Sequence, residues 1–408
     1  MRNFESLRKL PKNVWAVSLT SFFMDISSEM VINILPLFLV NVLGVQPTLI
    51  GLIEGVAEST ASLLKIFSGW ISDRLGSRKW LAVIGYGFSA FSKPFYLLAS
   101  SWGIVAAIRW SDRIGKGIRT APRDALIADS IEANQRGLAF GLHRAMDTFG
   151  AMIGIIIAAA VIYLAQGNSM QITDQTFHTV VLFSLIPAFL AVITLAFGAT
   201  EVALLKKGKQ NVEQWKFGGK FTYFLVIVGI FTLGNSSDAF LILRAQTSGL
   251  NVISILAMLV MFNLIYSVIS TPAGSLSDKI GRKKLIVGGW VVYALIYFGF
   301  ALSSNPSQMF FLYALYGVYY GLAYGTANAL IADLVPSQSR GTAYGAYNAV
   351  VGLMALPASL IAGWLWEVSG YSAPFWFGGG MALIAAILMV FFKIPSRDEE
   401  IPIPEPAM

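Results

Sequence analysis

Apolar stretches of about 20 residues recur from one end of the chain to the other, separated by short polar segments. At 1.5 Å rise per residue, a helix of that length crosses the roughly 30 Å of a bilayer's hydrocarbon. The pattern predicts twelve spans, at 14–40, 48–71, 80–100, 103–127, 137–165, 176–198, 220–245, 252–275, 284–303, 307–332, 341–367 and 372–394. None alternates apolar and polar positions as the strands of a membrane β-barrel must. Twelve spans share 408 residues, about 34 for each helix with its loop, which leaves no room for a soluble domain. The expected fold class is an all-α polytopic membrane protein.

Composition and charge sharpen that reading. The chain is 56% hydrophobic and 12% charged, where an average soluble protein is about a quarter charged. Disorder, a coiled coil and an ordinary water-soluble enzyme are excluded. Of the 29 Lys and Arg, 22 fall in the terminal tails, the central stretch 201–220 or the loops and span ends on that side. The opposite loops, around Gln46, Ser101, Asn168, Thr247, Asn305 and Gly370, have none. The positive-inside rule therefore places both termini in the cytoplasm, with the protein in the inner or plasma membrane. Topology accounts for the net charge of +7, so no nucleic-acid partner is expected. There is no Cys, hence no disulfide or thiol chemistry. The first apolar run is too long for a cleaved signal peptide, and no small-residue cleavage site follows it.

Fourteen charges are predicted inside spans: Lys65, Lys93, Arg109, Arg113, Lys116, Arg144 and Arg244, with Asp25, Glu29, Glu54, Glu58, Asp112, Asp147 and Asp238. A charge in hydrocarbon costs at least about 2.5–3.5 kcal/mol, so each should face a watery cavity or a partner. Asp25 and Glu29 are four apart on the first span, and Glu54 and Glu58 four apart on the second, so each pair shares a helix face. Such carboxylates cannot all remain ionised in a low dielectric, the property a proton-coupling site needs. Lys93, Arg109 and Arg113 are the candidate partners. Arg109, Arg113 and Lys116 share one face, as an anion site or as neutralised counter-charges. His143, Arg144 and Asp147 open the fifth span. In the second half, Asp238 and Arg244 are candidates for substrate contact or for a mutual ion pair. Tyr313, Tyr316, Tyr319, Tyr320 and Tyr324 either line the substrate path or pack.

The chain also repeats itself. Ser72, Asp73, Arg74, Leu75 and Gly76 return as Ser277, Asp278, Lys279, Ile280 and Gly281, and Asp129 with Arg136 returns as Asp333 with Arg340. The offsets of 205 and 204 divide the chain into a six-helix bundle at 1–200, a linker at 201–219, a second bundle at 220–394 and a tail at 395–408. Repeats of this kind build many transporters, with the substrate between them. The segment Gly69, Asp73, Arg74, Gly76, Arg78 and Lys79 resembles the signature loop between helices 2 and 3 of the major facilitator superfamily. Gly274, Asp278, Lys279, Gly281 and Arg282 resemble its second-half copy. The resemblance covers the whole chain and implies two pseudo-symmetric six-helix bundles working by alternating access. These residues, with Asp129, Arg136, Asp333 and Arg340, would form a cytoplasmic gate. Two features of the superfamily's proton-coupled exporters differ: Arg113 stands four residues after Arg109 where they carry Gly, and Ile155 follows Gly154 where they carry Pro.

No GxxxxGK[ST] phosphate loop and no HExxH occurs, so neither an ATP-driven pump nor a zinc enzyme is expected, and no cofactor or metal. The function expected is secondary active transport of a small organic solute by a monomer in the lipid bilayer. The leading version is proton-coupled export of drug-like or amphipathic compounds. The alternative is proton-coupled uptake of an anionic or zwitterionic solute.

Overall fold

The structure is a computed structural model that describes residues 10–132, 135–202, 218–335 and 340–392; within these, the side chains of 271–279, 323–326, 328–329, 332 and 340 are not described. Fourteen α-helices follow one another: α1 Lys12–Ile32, α2 Leu35–Asn41, α3 Pro47–Leu75, α4 Lys79–Ser92, α5 Trp102–Asp129, α6 Arg136–Gln166, α7 Asp174–Gly198, α8 Gly219–Gly234, α9 Ala239–Thr247, α10 Val252–Ile280, α11 Arg282–Leu302, α12 Pro306–Leu334, α13 Arg340–Ser369 and α14 Ala373–Phe391. They make twelve spans, because α1 with α2 and α8 with α9 are each one broken span, and a 3₁₀ turn, Lys93–Leu98, extends α4. Among the described residues, nine spans are long and apolar enough to cross a membrane on composition alone. The other three are α3, α5 and α12. The first two fall short of the expected twelve because they hold the bundle's charges, Glu54, Glu58 and Lys65 on one and Arg109, Asp112, Arg113 and Lys116 on the other.

Large apolar side chains point outward, among them Phe67, Trp70, Phe91, Leu164, Phe197 and Phe311. In lipid the hydrophobic effect does not press helices together, so small residues at the contacts matter more. Gly150 and Gly154 of α6 press against the backbone of Phe22 and Ile26 on α1, and Gly85 of α4 meets Gly115 of α5.

The two halves meet chiefly where α3 packs along α13 and α6 along α10. On the side opposite the chain ends, Asn41 and Gln246 exchange hydrogen bonds of 3.1 and 2.8 Å, and Thr48 donates to Glu367 at 2.6 Å. Toward mid-span, Ser59 donates to the carbonyl of Gly352 at 2.6 Å, and Arg144 to the Tyr266 hydroxyl at 2.8 Å. The described contacts thus join the halves from the end opposite the termini to the middle.

Candidate functional site

The intramembrane charges of the first half sort into two groups. Arg109 of α5 holds Glu54 of α3 in a two-point pair, Nε to Oε1 at 3.0 Å and Nη2 to Oε2 at 2.7 Å. One turn on, Arg113 Nη2 lies 3.0 Å from Glu58 Oε1, and Asp112 lies 3.7 Å from Arg109. A guanidinium fork matches a carboxylate at two points, so the pair is both strong and directional. Helical spacing stacks Arg109 over Arg113 on one face and Glu54 over Glu58 on the other, which lets α3 and α5 zip together. The basic ladder is therefore largely neutralised by α3 and by Asp112.

The second group is divided between the halves, on α1 and at the start of α9. Asp25 and Glu29 are half-buried on α1. Glu29 accepts from the Asn33 side chain at 2.8 Å, and no ion pair joins either carboxylate to a described cation. The charges of Lys116, Arg119, Arg123 and Arg144 act on Asp25 from a distance. Across the interface, Asp238 begins α9 at the break after Asn235, with its side chain exposed. Its Oδ1 accepts from the Tyr316 hydroxyl at 3.4 Å, and Glu58, Glu29 and Glu54 are the charges nearest in effect. Tyr316 lies within an aromatic cluster, 5.1 Å from Tyr320 and 5.5 Å from Phe262 between ring centres. The break in this span is held by Tyr293, which donates to Asn235 Oδ1 at 3.0 Å.

Two sequence expectations are corrected here. Asp238 does not pair with Arg244. Arg244 is buried at the end opposite the termini and caps α11, donating to the carbonyls of Phe300 (2.9 Å) and Ser303, and to the hydroxyls of Thr247 and Ser248. It also lies 4.3 Å from the Tyr371 ring centre. Unsatisfied carbonyls at a helix C-terminus attract a cation, so Arg244 needs no carboxylate. Lys93 likewise does not meet Asp25 or Glu29. It is buried behind α1, donating to the hydroxyls of Ser27 and Ser28. Ser27 and Ser28 follow Asp25 by two and three residues on α1, so Lys93 meets α1 on a side other than that of Asp25.

At the end carrying the termini, Arg78 lies 2.6 Å from Asp73 and 3.2 Å from Asp129. In the second half Arg282, one position before the counterpart of Arg78, pairs with Asp333, the repeat counterpart of Asp129. Gly76 ends α3 at φ +67°, and Gly281 precedes α11 at φ +94°, a left-handed backbone that favours glycine. Gly69 packs against Ala121, Arg74 lies over the Trp70 ring, and Arg136 is exposed at the start of α6. The side chains of Gly274, Asp278, Lys279 and Arg340 lie outside the described residues, as do linker positions 203–217 and the tail. Sequence reasoning missed Glu201, which follows α7 and accepts from the backbone N–H groups of Arg78 (2.7 Å) and Lys79 (3.0 Å) and from the Ser77 hydroxyl (2.9 Å). Nothing local marks it, because its partners are over 120 residues away. Among the described residues no cluster of three His, Asp or Glu could hold a metal ion.

A groove of about 660 Å³ lies on the outer surface between α4 and α5, lined by Ile84, Phe88, Phe91, Phe95 and Ile108. It carries none of these charges and is separate from the site.

The comparisons agree with this architecture. The family model described as Major Facilitator Superfamily matches residues 17–256 and 221–407. An uncharacterized MFS-type transporter of Methanocaldococcus jannaschii is 36% identical over 402 residues, 96% of this chain and 97% of that one. A quinolone resistance protein of Staphylococcus aureus is 27% identical over 170 residues, 42% of each chain. The crystal structure of a D-xylose-proton symporter superposes with a TM-score of 0.74 at 15% identity, covering 94% of this chain and 98% of that one. Twelve helical spans in two repeated halves, the duplicated loop and these matches establish that the chain belongs to the major facilitator superfamily and is a membrane transporter, not an enzyme.

Proposed function

We propose that this transporter exports amphipathic, drug-like organic solutes in exchange for protons, as a monomer in the cell membrane with both termini in the cytoplasm. The observation that carries the reading is the sorting of charges. Arg109 and Arg113 are occupied by Glu54, Glu58 and Asp112, so the ladder offers little to an anionic solute. Asp25, Glu29 and Asp238 have no direct cation among the described residues, and Asp238 accepts from Tyr316, a buried member of an aromatic cluster whose half-buried edge, Tyr266 and Tyr320, suits a flat, apolar or cationic compound. The similarity to a quinolone resistance protein is in keeping with it. Closure of the outer ends would make this the state open to the cytoplasm, where an exporter loads.

The test is flux in proteoliposomes with and without a pH gradient, using ethidium as lipophilic cation and anilinonaphthalene sulfonate as lipophilic anion. Gradient-driven ethidium movement is expected. Movement of the anion alone would favour uptake of an anionic solute instead, for which the exposed Lys116 is the available charge. Asp25→Asn and Glu29→Gln should abolish gradient-driven accumulation while preserving some ethidium exchange. If these carboxylates are structural only, melting temperature in detergent falls and exchange is lost with it.

A further inference from the structure

The groove between α4 and α5 takes no part in the pairing of charges. α4 and its 3₁₀ turn form one span, Lys79–Leu98, of 20 residues and so about 30 Å. Along it Trp80, Ile84, Phe88 and Phe91 are all exposed, and steps of four, four and three residues put them on one helix face. The groove is deep beside them because Gly87 of α4 and Ala107 of α5 carry almost no side chain. A Cβ at Gly87 would meet nothing within 4 Å. An apolar recess that opens to the bilayer loses dispersion contacts if it stays empty, so hydrocarbon belongs in it.

Charge at the terminus-bearing end of this span says which molecule brings the hydrocarbon. Lys79 Nζ lies 4.7 Å from the centre of the Trp80 ring, and the Arg74 guanidinium 5.4 Å from that of Trp70. The two rings are 54% and 59% exposed. Arg74 and Lys79 flank the turn at 75–78, and among the described residues neither has a carboxylate partner. Arg78 between them differs, being held by Asp73 and Asp129. Glu201 accepts from the backbone N–H of Lys79, which leaves the ammonium on the Trp80 ring. Tryptophan suits the headgroup level of a membrane, where one end of the ring is apolar and the other wet. A cation resting on such a ring keeps N–H donors for another acceptor, and at that depth the acceptors are lipid phosphates.

We propose that this face of the first half binds one anionic phospholipid, its phosphate on Lys79 and Arg74 and one acyl chain laid over Trp80 and Ile84 into the groove above Gly87. The lengths agree. At 1.5 Å per residue a chain anchored at Trp80 passes Ile84 after about 6 Å and reaches Phe91 after about 16 Å. Half of the roughly 30 Å of hydrocarbon is about 15 Å, the depth one leaflet's chain covers. A zwitterionic headgroup brings its own cation and gains less from Lys79 and Arg74 than an anionic one does. The bound lipid braces the start of α4 and its contact with α5 from the membrane side, while Asp73 and Asp129 hold Arg78 in the loop before it. The proposal needs neither a particular solute nor a particular coupling ion.

The experiment measures the melting temperature of the delipidated full chain in detergent with added phosphatidylglycerol, phosphatidylcholine of the same chains, or sodium phosphate. A ligand that binds only the folded state raises the midpoint, so phosphatidylglycerol should raise it by about 4 °C, phosphatidylcholine by less than half as much, and sodium phosphate not at all. Gly87→Phe fills the groove where the backbone leaves room, and should abolish the increment while the lipid-free midpoint stays at or above that of wild type. Lys79→Gln should reduce the phosphatidylglycerol increment to that of phosphatidylcholine. Equal increments from the two lipids in wild type overturn the headgroup contact, an increment that survives Gly87→Phe overturns the groove, and one reproduced by sodium phosphate assigns the cations to a free anion. Photoreactive phosphatidylglycerol, with its diazirine in the acyl chain, gives a readout that needs no variant. Cross-links should concentrate on residues 84–91 and 104–111, and cross-links spread evenly over the other spans overturn the site. Dimer-sized particles in detergent that Gly87→Phe converts to monomers would give the groove to a second copy of the chain and overturn it likewise.

Discussion

Arg109 and Glu54 join two helices where neither side chain meets solvent, at 2% and 7% exposure. Removing one partner leaves a charge uncompensated in a dry environment, which costs about 3–5 kcal/mol. Arg109→Ala should therefore lower the melting temperature and the yield of folded protein, and Arg109→Met combined with Glu54→Met should recover most of both. Equal losses in the single and double variants would mean that the cost does not come from the unpaired charge. Glu201 is a different case, since it lies outside the spans. Partial burial would raise its pKa, yet the N–H groups of Lys79 and Arg78 and the Ser77 hydroxyl outweigh that and hold it below the usual 4.5. A depressed folded value means the contact stabilises above that ordinary value and is lost as pH falls through the folded one. Glu201→Gln should thus lower the melting temperature modestly at pH 7, and the difference from wild type should close as the pH is taken below about 4. A difference constant with pH would show that charge is irrelevant to the clasp.

The elements were the most legible part of the sequence, because a span must hide its backbone and so writes itself as an unbroken apolar run. The runs at 48–71, 137–165 and 284–303 correspond to helices Pro47–Leu75, Arg136–Gln166 and Arg282–Leu302. The break inside 220–245 was not legible, since it depends on Tyr293 reaching Asn235 from another helix and on Gly234 pressing against Gly378. The site was readable to the level of faces. Spacing put Glu54 with Glu58 and Arg109 with Arg113, but no period along one helix names the helix opposite. That is why Lys93 and Arg244 were assigned carboxylate partners and have hydroxyls and carbonyls instead. The α3–α13 contact shows what small residues accomplish at this scale. A Cβ at Gly55 would come within 3.0 Å of Leu356, and Gly51 and Gly363 have the backbones of Ser359 and Pro47 against them. Such contacts allow two halves to close without a bulky ridge. Gly55→Leu should disfavour closure of the outer ends, seen as a longer spin-label distance between Cys placed at Asn41 and Gln246. An unchanged distance would show that the helices slide to admit the side chain.

At the scale of the whole molecule, the contacts describe one of two states. The ends opposite the termini are joined by Asn41 with Gln246 and Thr48 with Glu367, whereas Asp73 at the terminus end is 68% exposed and, among the described residues, paired with Arg78 of its own half. Alternating access requires that the other end close in turn, with a free-energy gap of a few kcal/mol that local contacts can tip. Arg78 bound to Asp73 and Asp129, and Arg282 bound to Asp333, hold the duplicated loops in shape at the ends of the two halves. Asp73 is the carboxylate left facing outward from this arrangement, placed to accept from a helix N-terminus or an Arg of the second half when the ends meet. Asp73→Asn should therefore weaken the state closed at the terminus side and cut transport about tenfold, equivalent to about 1.4 kcal/mol, with expression largely intact. The Cys-free chain makes the measurement direct. Spin labels on single Cys residues at the exposed positions Glu132 and Lys284, one at the terminus end of each half, should lose their shorter-distance population in the variant. Labelling of Cys at Asn168 and at Gly208 from opposite sides of the membrane fixes which face that end occupies. Asp278→Asn should have the smaller effect, because twelve of the fourteen charges predicted inside spans lie in the first half. An Asp73→Asn protein with unchanged distances and unchanged flux would assign the duplicated charges to membrane topology alone.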